Sequence, residues 1–209
     1  MSPRPRATSD EDLLAATHRV VSRLGPNLTL ADVAKEAGVS PATLMQRFGS
    51  KRGLLLAFAA AGSADVSGEL KAIRAQHASP LAAIFGVARC MASMADTPET
   101  LANSLAFLQM DLVDPEFHQH AAAHSRRMLA AMKALLDEAV AHGELVPTDT
   151  TRLARAVQAM IGGSLLQWAI DREGTVADRL GEDLDTLLYS RYSPSRDPRP
   201  PPRRRLRRV

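Results

Sequence analysis

The chain predicts an all-α fold, and three observations carry that reading. Only 4% of its 209 residues are aromatic, so a core here is built mostly from Ala, Leu, Val and Met, a composition that favours helices. Nowhere do β-branched and aromatic residues alternate with polar ones over the length of a strand. Ser, Thr or Asp followed by Pro, and Gly between apolar stretches, cut the chain at the spacing of helix starts and stops. The length suits one or two domains with a sizeable core.

Nine helices follow from that punctuation. Residues 1–8, with two prolines and two arginines, read as a flexible arm. Ser9 opens the first helix, whose inward stripe is Leu13, Ala16, Val20 and Leu24 and whose end is Gly25-Pro26. Thr29 caps the second, with Asp32 three residues on completing a capping box. Leu30, Val33, Ala34 and Ala37 give it one apolar side, and Gly38 stops it. Ser40 caps the third, and Pro41 takes the first turn, where its missing N–H costs nothing. Ser50 opens a fourth helix expected to reach about His77, with Gly62 and Gly68 in its interior, each disfavoured by roughly 1 kcal/mol relative to Ala. Ser79-Pro80, Thr97-Pro98 and Asp114-Pro115 open the fifth, sixth and seventh; the seventh stops at Gly143. Thr148 or Asp149 caps the eighth, ending near Gly174, and Thr175 caps the ninth, which runs to about Tyr192. Residues 193–209 hold five prolines and seven arginines and are expected to be disordered.

The second and third helices carry the chemistry. In the third, Leu44 and Phe48 point inward and leave Ala42, Thr43, Met45, Gln46 and Arg47 outside. A short helix with small and polar outward residues, braced by a tight turn against another, is a helix-turn-helix, sized to enter a DNA major groove. Gln46 and Arg47 suit base edges, Arg favouring guanine and Gln adenine; Arg47 suits a phosphate equally. Ala42 and Thr43 suit a thymine methyl, and Met45 packs on sugar or methyl groups.

From about Asp12 to Leu56 the chain resembles the DNA-binding domain of the TetR (tetracycline-repressor-like) family of transcriptional regulators. The matching pieces are Leu13-Leu14-Ala15-Ala16, Leu30 to Ala34, Ala37-Gly38-Val39-Ser40, Leu44, Phe48, and Ser50-Lys51 before Leu54-Leu55. Two positions depart from the family pattern: Met45 stands where a tyrosine is usual, and Arg47 where a histidine is frequent. The resemblance implies that Thr29, Ser40 and Lys51, at three helix starts, clamp DNA phosphates, as free N–H groups at positive helix ends do. It implies residues 9–53 as the DNA-binding domain and 54–192 as a ligand-binding and dimerisation domain. It implies a homodimer through the last two of the nine helices, a palindromic double-stranded operator, and release by a small molecule.

In the larger domain, Phe85, Met91, Phe107, Met110, Met128 and Trp168 are the candidate ligand-contacting residues, because pliable Met and flat aromatic walls suit a small apolar ligand. Leu153, Val157, Met160, Ile161, Leu165 and Trp168, with Leu180, Leu184, Leu187 and Leu188, make the apolar faces of the last two helices.

Charge is uneven. Residues 1–60 carry +3, residues 61–195 carry −6, and residues 196–209 carry +6. A DNA-binding end on an acidic body fits this pattern. The tail reads either as a solubilising extension or as an arm on DNA phosphates. The single Cys90 excludes an internal disulfide and fits a reducing compartment. No apolar run reaches the roughly 20 residues of a membrane helix, and the first residues lack a signal-peptide core; a bacterial cytoplasmic location, on the nucleoid when DNA-bound, is expected. His118, His120 and His124 lack a metal-site pattern beyond a bare i, i+4 pair, and no phosphate loop, GxSxG or GxGxxG occurs. No metal, no cofactor and no catalysis are expected. The competing readings are an architectural DNA-binding protein without effector, and a helical metal-binding protein or enzyme.

Overall fold

The computed structural model describes residues 8–192, so the tail and most of the N-terminal arm lie outside the described residues. Ten α-helices occupy that span, without a β-strand among the described residues: α1 (Asp10–Leu24), α2 (Leu30–Ala37), α3 (Pro41–Phe48), α4 (Lys51–Ala64), α5 (Val66–Ala75), α6 (Pro80–Met94), α7 (Pro98–Val113), α8 (Pro115–Ala141), α9 (Thr150–Asp171) and α10 (Val176–Tyr189). A short 3-10 turn, Gly25–Asn27, follows α1. The expected starts hold: Ser9, Thr29, Ser40, Ser50, Ser79, Thr97, Asp114, Asp149 and Thr175 each place a side-chain oxygen on a first-turn amide.

The expected course of the fourth helix fails. The fourth helix does not run to His77 but breaks at Asp65, which makes ten helices of nine. The break is held from another element. His124 of α8 lies 3.3 Å from the Gly62 carbonyl, and the Arg127 guanidinium donates to the Ser63 carbonyl. These are carbonyls that an ended helix leaves orphaned. Helix ends also differ: α9 stops at Asp171, with Arg172 left-handed, and α10 at Tyr189. Leu24, expected inward, is exposed at the last position of α1.

Two apolar cores result. The first gathers Leu13, Val20, Val33, Leu44, Leu54 and Leu55 from the first four helices and Leu28 from the connection before α2, with Phe107 of α7 and Phe117 of α8. Phe58, Phe107 and Phe117 meet edge to face in sequence, with centroids 5.7 and 6.0 Å apart. The second fills the body: Ile84 and Val87 of α6, Met132 and Leu136 of α8, Val157 and Ile161 of α9, and Leu180 and Leu184 of α10. Leu153, Val157, Ile161, Leu165, Trp168, Leu180, Leu184 and Leu188 are therefore core of their own subunit. Among the residues that α9 turns outward are Gly162, Gly163, Leu166 and Ile170. No helix among the described residues is long and apolar enough to cross a membrane.

Candidate DNA-binding interface

Local sequence fixes α2 and α3. Gly38 closes α2 at φ +69°, a left-handed backbone that a β-carbon disfavours, and so turns the chain sharply into α3. Leu44 is fully buried, which orients α3 and leaves Ala42, Met45, Gln46 and Arg47 exposed and Thr43 half-buried beside Ser40. Gly53 admits the end of α3: a β-carbon there would run into the Phe48 carbonyl. The outward set thus shares one solvent-facing side, with the geometry of a recognition helix.

The three expected phosphate positions sit at helix starts, each already in a local bond. The Thr29 hydroxyl and amide donate to Asp32 at 2.6 and 2.8 Å, which holds the Asp32 carboxyl below its usual range. Ser40 Oγ accepts from the Thr43 amide at 3.2 Å. Lys51 Nζ donates to the Pro26 carbonyl at 2.6 Å, tying the start of α4 to the turn just before α2. An ammonium has three N–H groups, so that bond leaves donors for a phosphate.

Sequence reading missed the partner of Arg47. Its Nη1 donates to Asp10 Oδ1 at 2.6 Å, 37 positions away at the start of α1, with the two side chains 34% and 65% exposed. So open a pair is worth about 0–1 kcal/mol, little against a base or phosphate contact. It also missed Arg52. From the first turn of α4, Arg52 reaches the corner between α7 and α8, bonding both Asp114 oxygens at 2.9 and 2.7 Å and also Glu116, over the Phe117 ring at 5.4 Å. Arg52 holds the Asp114 carboxyl below its usual range. Nearby, Asn103 of α7 donates to the Ser22 and Arg23 carbonyls at 3.0 and 2.8 Å and so caps the end of α1. No local pattern announces either contact, since the partners are more than 60 positions apart.

The six ligand candidates divide between the cores. Phe85, Met91, Met128 and Trp168 pack in the body, whereas Phe107 and Met110 belong to the N-terminal core. Trp168 also borders a cleft of about 370 Å³ with Arg89, Asp96 and Val176. His118, His120 and His124 surround Asp111, a half-buried carboxyl that desolvation raises to about 6 while the three rings pull it back. Among the described residues no group of three His, Cys, Asp or Glu side chains is arranged to hold a metal ion.

A capped two-helix reader mounted on a helical body defines a helix-turn-helix DNA-binding regulator. Residues 13–58 match the family described as bacterial regulatory proteins, tetR family, and residues 86–191 match that described as BetI-type transcriptional repressor, C-terminal. The HTH-type transcriptional regulator BetI of Agrobacterium fabrum is 31% identical over 162 residues, 76% of this chain and 75% of that one. The chain belongs to the TetR family of transcriptional regulators. Solved structures agree on the fold. Reduced NemR of E. coli superposes with a TM-score of 0.71 at 16% identity, covering 88% of this chain and 98% of that one. A TetR regulator from Streptomyces coelicolor gives 0.69 at 23% identity, covering 88% and 99%.

Proposed function

We propose that the protein is a homodimeric repressor that reads a palindromic operator through α3 and leaves it when a small apolar molecule occupies the body. The observation that carries this is the exposed face of α3, held outward by the buried Leu44. Gln46 and Arg47 read base edges, Ala42, Thr43 and Met45 pack against sugars and methyl groups, and the starts at Thr29, Ser40 and Lys51 hold phosphates. The dimer forms through α9 and α10, where Gly162 and Gly163 admit a close helix and Leu166 and Ile170 supply apolar area. Two-fold symmetry then sets the half-sites one helical turn, about 34–36 Å, or a multiple apart. The regulator works in the cytoplasm, where the operator is.

Ligand enters near Phe85, Met91 and Met128 and is felt through Phe107 and Met110, since α7 carries side chains into the N-terminal core. From there the Arg52 clamp passes a shift of the α7–α8 corner to α4 and the recognition helix. Selection of bound duplexes from a random pool tests the reading. Enrichment of an inverted repeat supports it; binding without sequence preference at moderate salt refutes it.

A further inference from the structure

We propose that the seam between α1 and α7 holds a second ligand site, apart from the apolar body: a cleft that takes a small phosphoryl-bearing anion and thereby weakens operator binding. The site itself is independent of the reading of α3; its effect on operator binding rests on that reading.

Two elements make the cleft, which measures about 320 Å³. Arg19 and Arg23 of α1 line one side, and Thr97, Glu99 and Thr100 at the start of α7 line the other. Asn103 of α7 joins the two sides, since its amide donates to the Ser22 and Arg23 carbonyls. At the roughly 30 Å³ that a water molecule takes in the liquid, the cleft has room for about ten non-hydrogen atoms. That is the size of pyrophosphate or of a three-carbon phosphate ester.

The guanidiniums say what enters. Arg19 and Arg23 lie four apart and so share a face of α1. They already converge on one anion, because Glu36 of α2 accepts from Arg19 Nε at 2.6 Å and lies 3.9 Å from Arg23 Nη1. The first contact uses one of five N–H groups, and the second is too long for a hydrogen bond. With the two side chains 56% and 61% exposed, both forks keep donors for a second anion. Across the cleft, the Thr97 and Thr100 hydroxyls share one bond at 2.8 Å, so one hydroxyl hydrogen remains beyond a long contact of 3.4 Å to Asp96. A phosphoryl group carries three acceptor oxygens on a tetrahedral centre and can meet both sides at once. A planar carboxylate is confined to one. Glu99, the carboxylate in the lining, opposes any anion there.

Position gives the consequence. Asp10, which bonds Arg47 of α3, is about 14 and 20 Å along α1 from Arg19 and Arg23. The cleft is therefore set back from the recognition helix. Its arginines nevertheless brace α2 through Glu36, and an anion draws them away toward α7. The helix-turn-helix loses that brace, and operator affinity falls.

Calorimetric titration of pyrophosphate tests the site, at constant ionic strength without divalent cations and with citrate as the carboxylate control. The chain is compared with Arg23→Gln, which spares the Arg19–Glu36 bond, and with Glu99→Gln. The parent binds one pyrophosphate per chain, and citrate more weakly. Arg23→Gln weakens pyrophosphate about tenfold, as loss of one charged hydrogen-bonding group does, and Glu99→Gln tightens it. No binding by the parent, equal binding by all three, or citrate bound as well as pyrophosphate overturns the proposal. In operator titrations at the same ionic strength, pyrophosphate lowers the parent's affinity about fivefold or more and leaves that of Arg23→Gln unchanged. Equal losses in both place the pyrophosphate on the DNA-contacting face and overturn the coupling. A weaker operator affinity of Arg23→Gln without pyrophosphate, with the salt slope reduced by about one, assigns Arg23 to the DNA backbone and also overturns it. Absence of any sequence preference in the parent refutes the reading of α3 instead, and the calorimetry still decides the site.

Discussion

Arg47 is the sole charged side chain on α3, and the manner of its tether decides what its loss does. A single Nη bonds Asp10, so most of the guanidinium fork remains for a partner. Arg47→Ala is expected to weaken operator binding by about 1–3 kcal/mol and to relax preference at one base position. Binding titrations against operators varied singly read this out. A uniform loss over all sequences, with the salt slope falling by about one, assigns Arg47 to phosphate instead. Asp111 makes a second prediction. Its burial raises the carboxyl to about 6, so between about 4 and 6 the folded state binds more protons than the unfolded one. Stability therefore falls as pH rises through that window. Asp111→Asn removes the cost and stabilises the protein by about 1 kcal/mol at pH 7.5, after discounting for solvent screening at a half-exposed site. Thermal melts should separate parent and variant by about 2–4 °C at pH 7.5 and not at pH 4. The exposed side of α3 was legible from sequence because Leu44 and Phe48 fix the inward side of a helix only eight residues long. The Asp10 tether was not, because side-chain reach across 37 positions leaves no local trace.

At the scale of elements, what could be read and what could not divide along one physical line. Starts were readable because each is made by its own cap within three residues, as at Ser9, Thr29 and Ser79. The break between α4 and α5 was not, because its orphaned carbonyls are met by His124 and Arg127, more than 60 positions on. Asn103 does the same for the end of α1. These long-range contacts concentrate where α7 and α8 meet the N-terminal helices, and Arg52 makes three side-chain bonds there. Arg52→Ala leaves the α3 surface intact, so operator affinity without ligand should change little. The ligand's effect on that affinity, typically about 1–3 kcal/mol, should shrink toward zero. Operator titrations with and without saturating ligand decide it; an undiminished ligand effect removes Arg52 from the route. Acid should weaken the clamp too. Arg52 depresses the Asp114 carboxyl, so its contribution is complete above the ordinary carboxylate range and is lost as pH falls through the depressed value.

For the whole molecule, the apolar surface that the fold leaves uncovered matters more than the surface it buries. The large apolar faces of the last two helices close their own subunit, so the dimer we propose would rest on the narrower strip of Gly162, Gly163, Leu166 and Ile170. Leu166 and Ile170 lie four apart on one side of α9 and are 47% and 67% exposed, open enough for a partner to cover. A paired change to Glu puts four carboxylates into the two-fold contact, since each residue meets its own kind or a near neighbour across the axis. Like charges brought together without partners cost several kcal/mol, enough to hold the variant monomeric at micromolar concentration. Its helices keep their core residues, so circular dichroism should match the parent. Operator affinity should collapse toward the non-specific level, because one recognition helix cannot span two half-sites. Sedimentation and operator titration on the same preparation test both halves of the claim. A monomer that retained full preference for the inverted repeat would show that the second recognition helix is dispensable, and the two-fold reading of this chain would go with it.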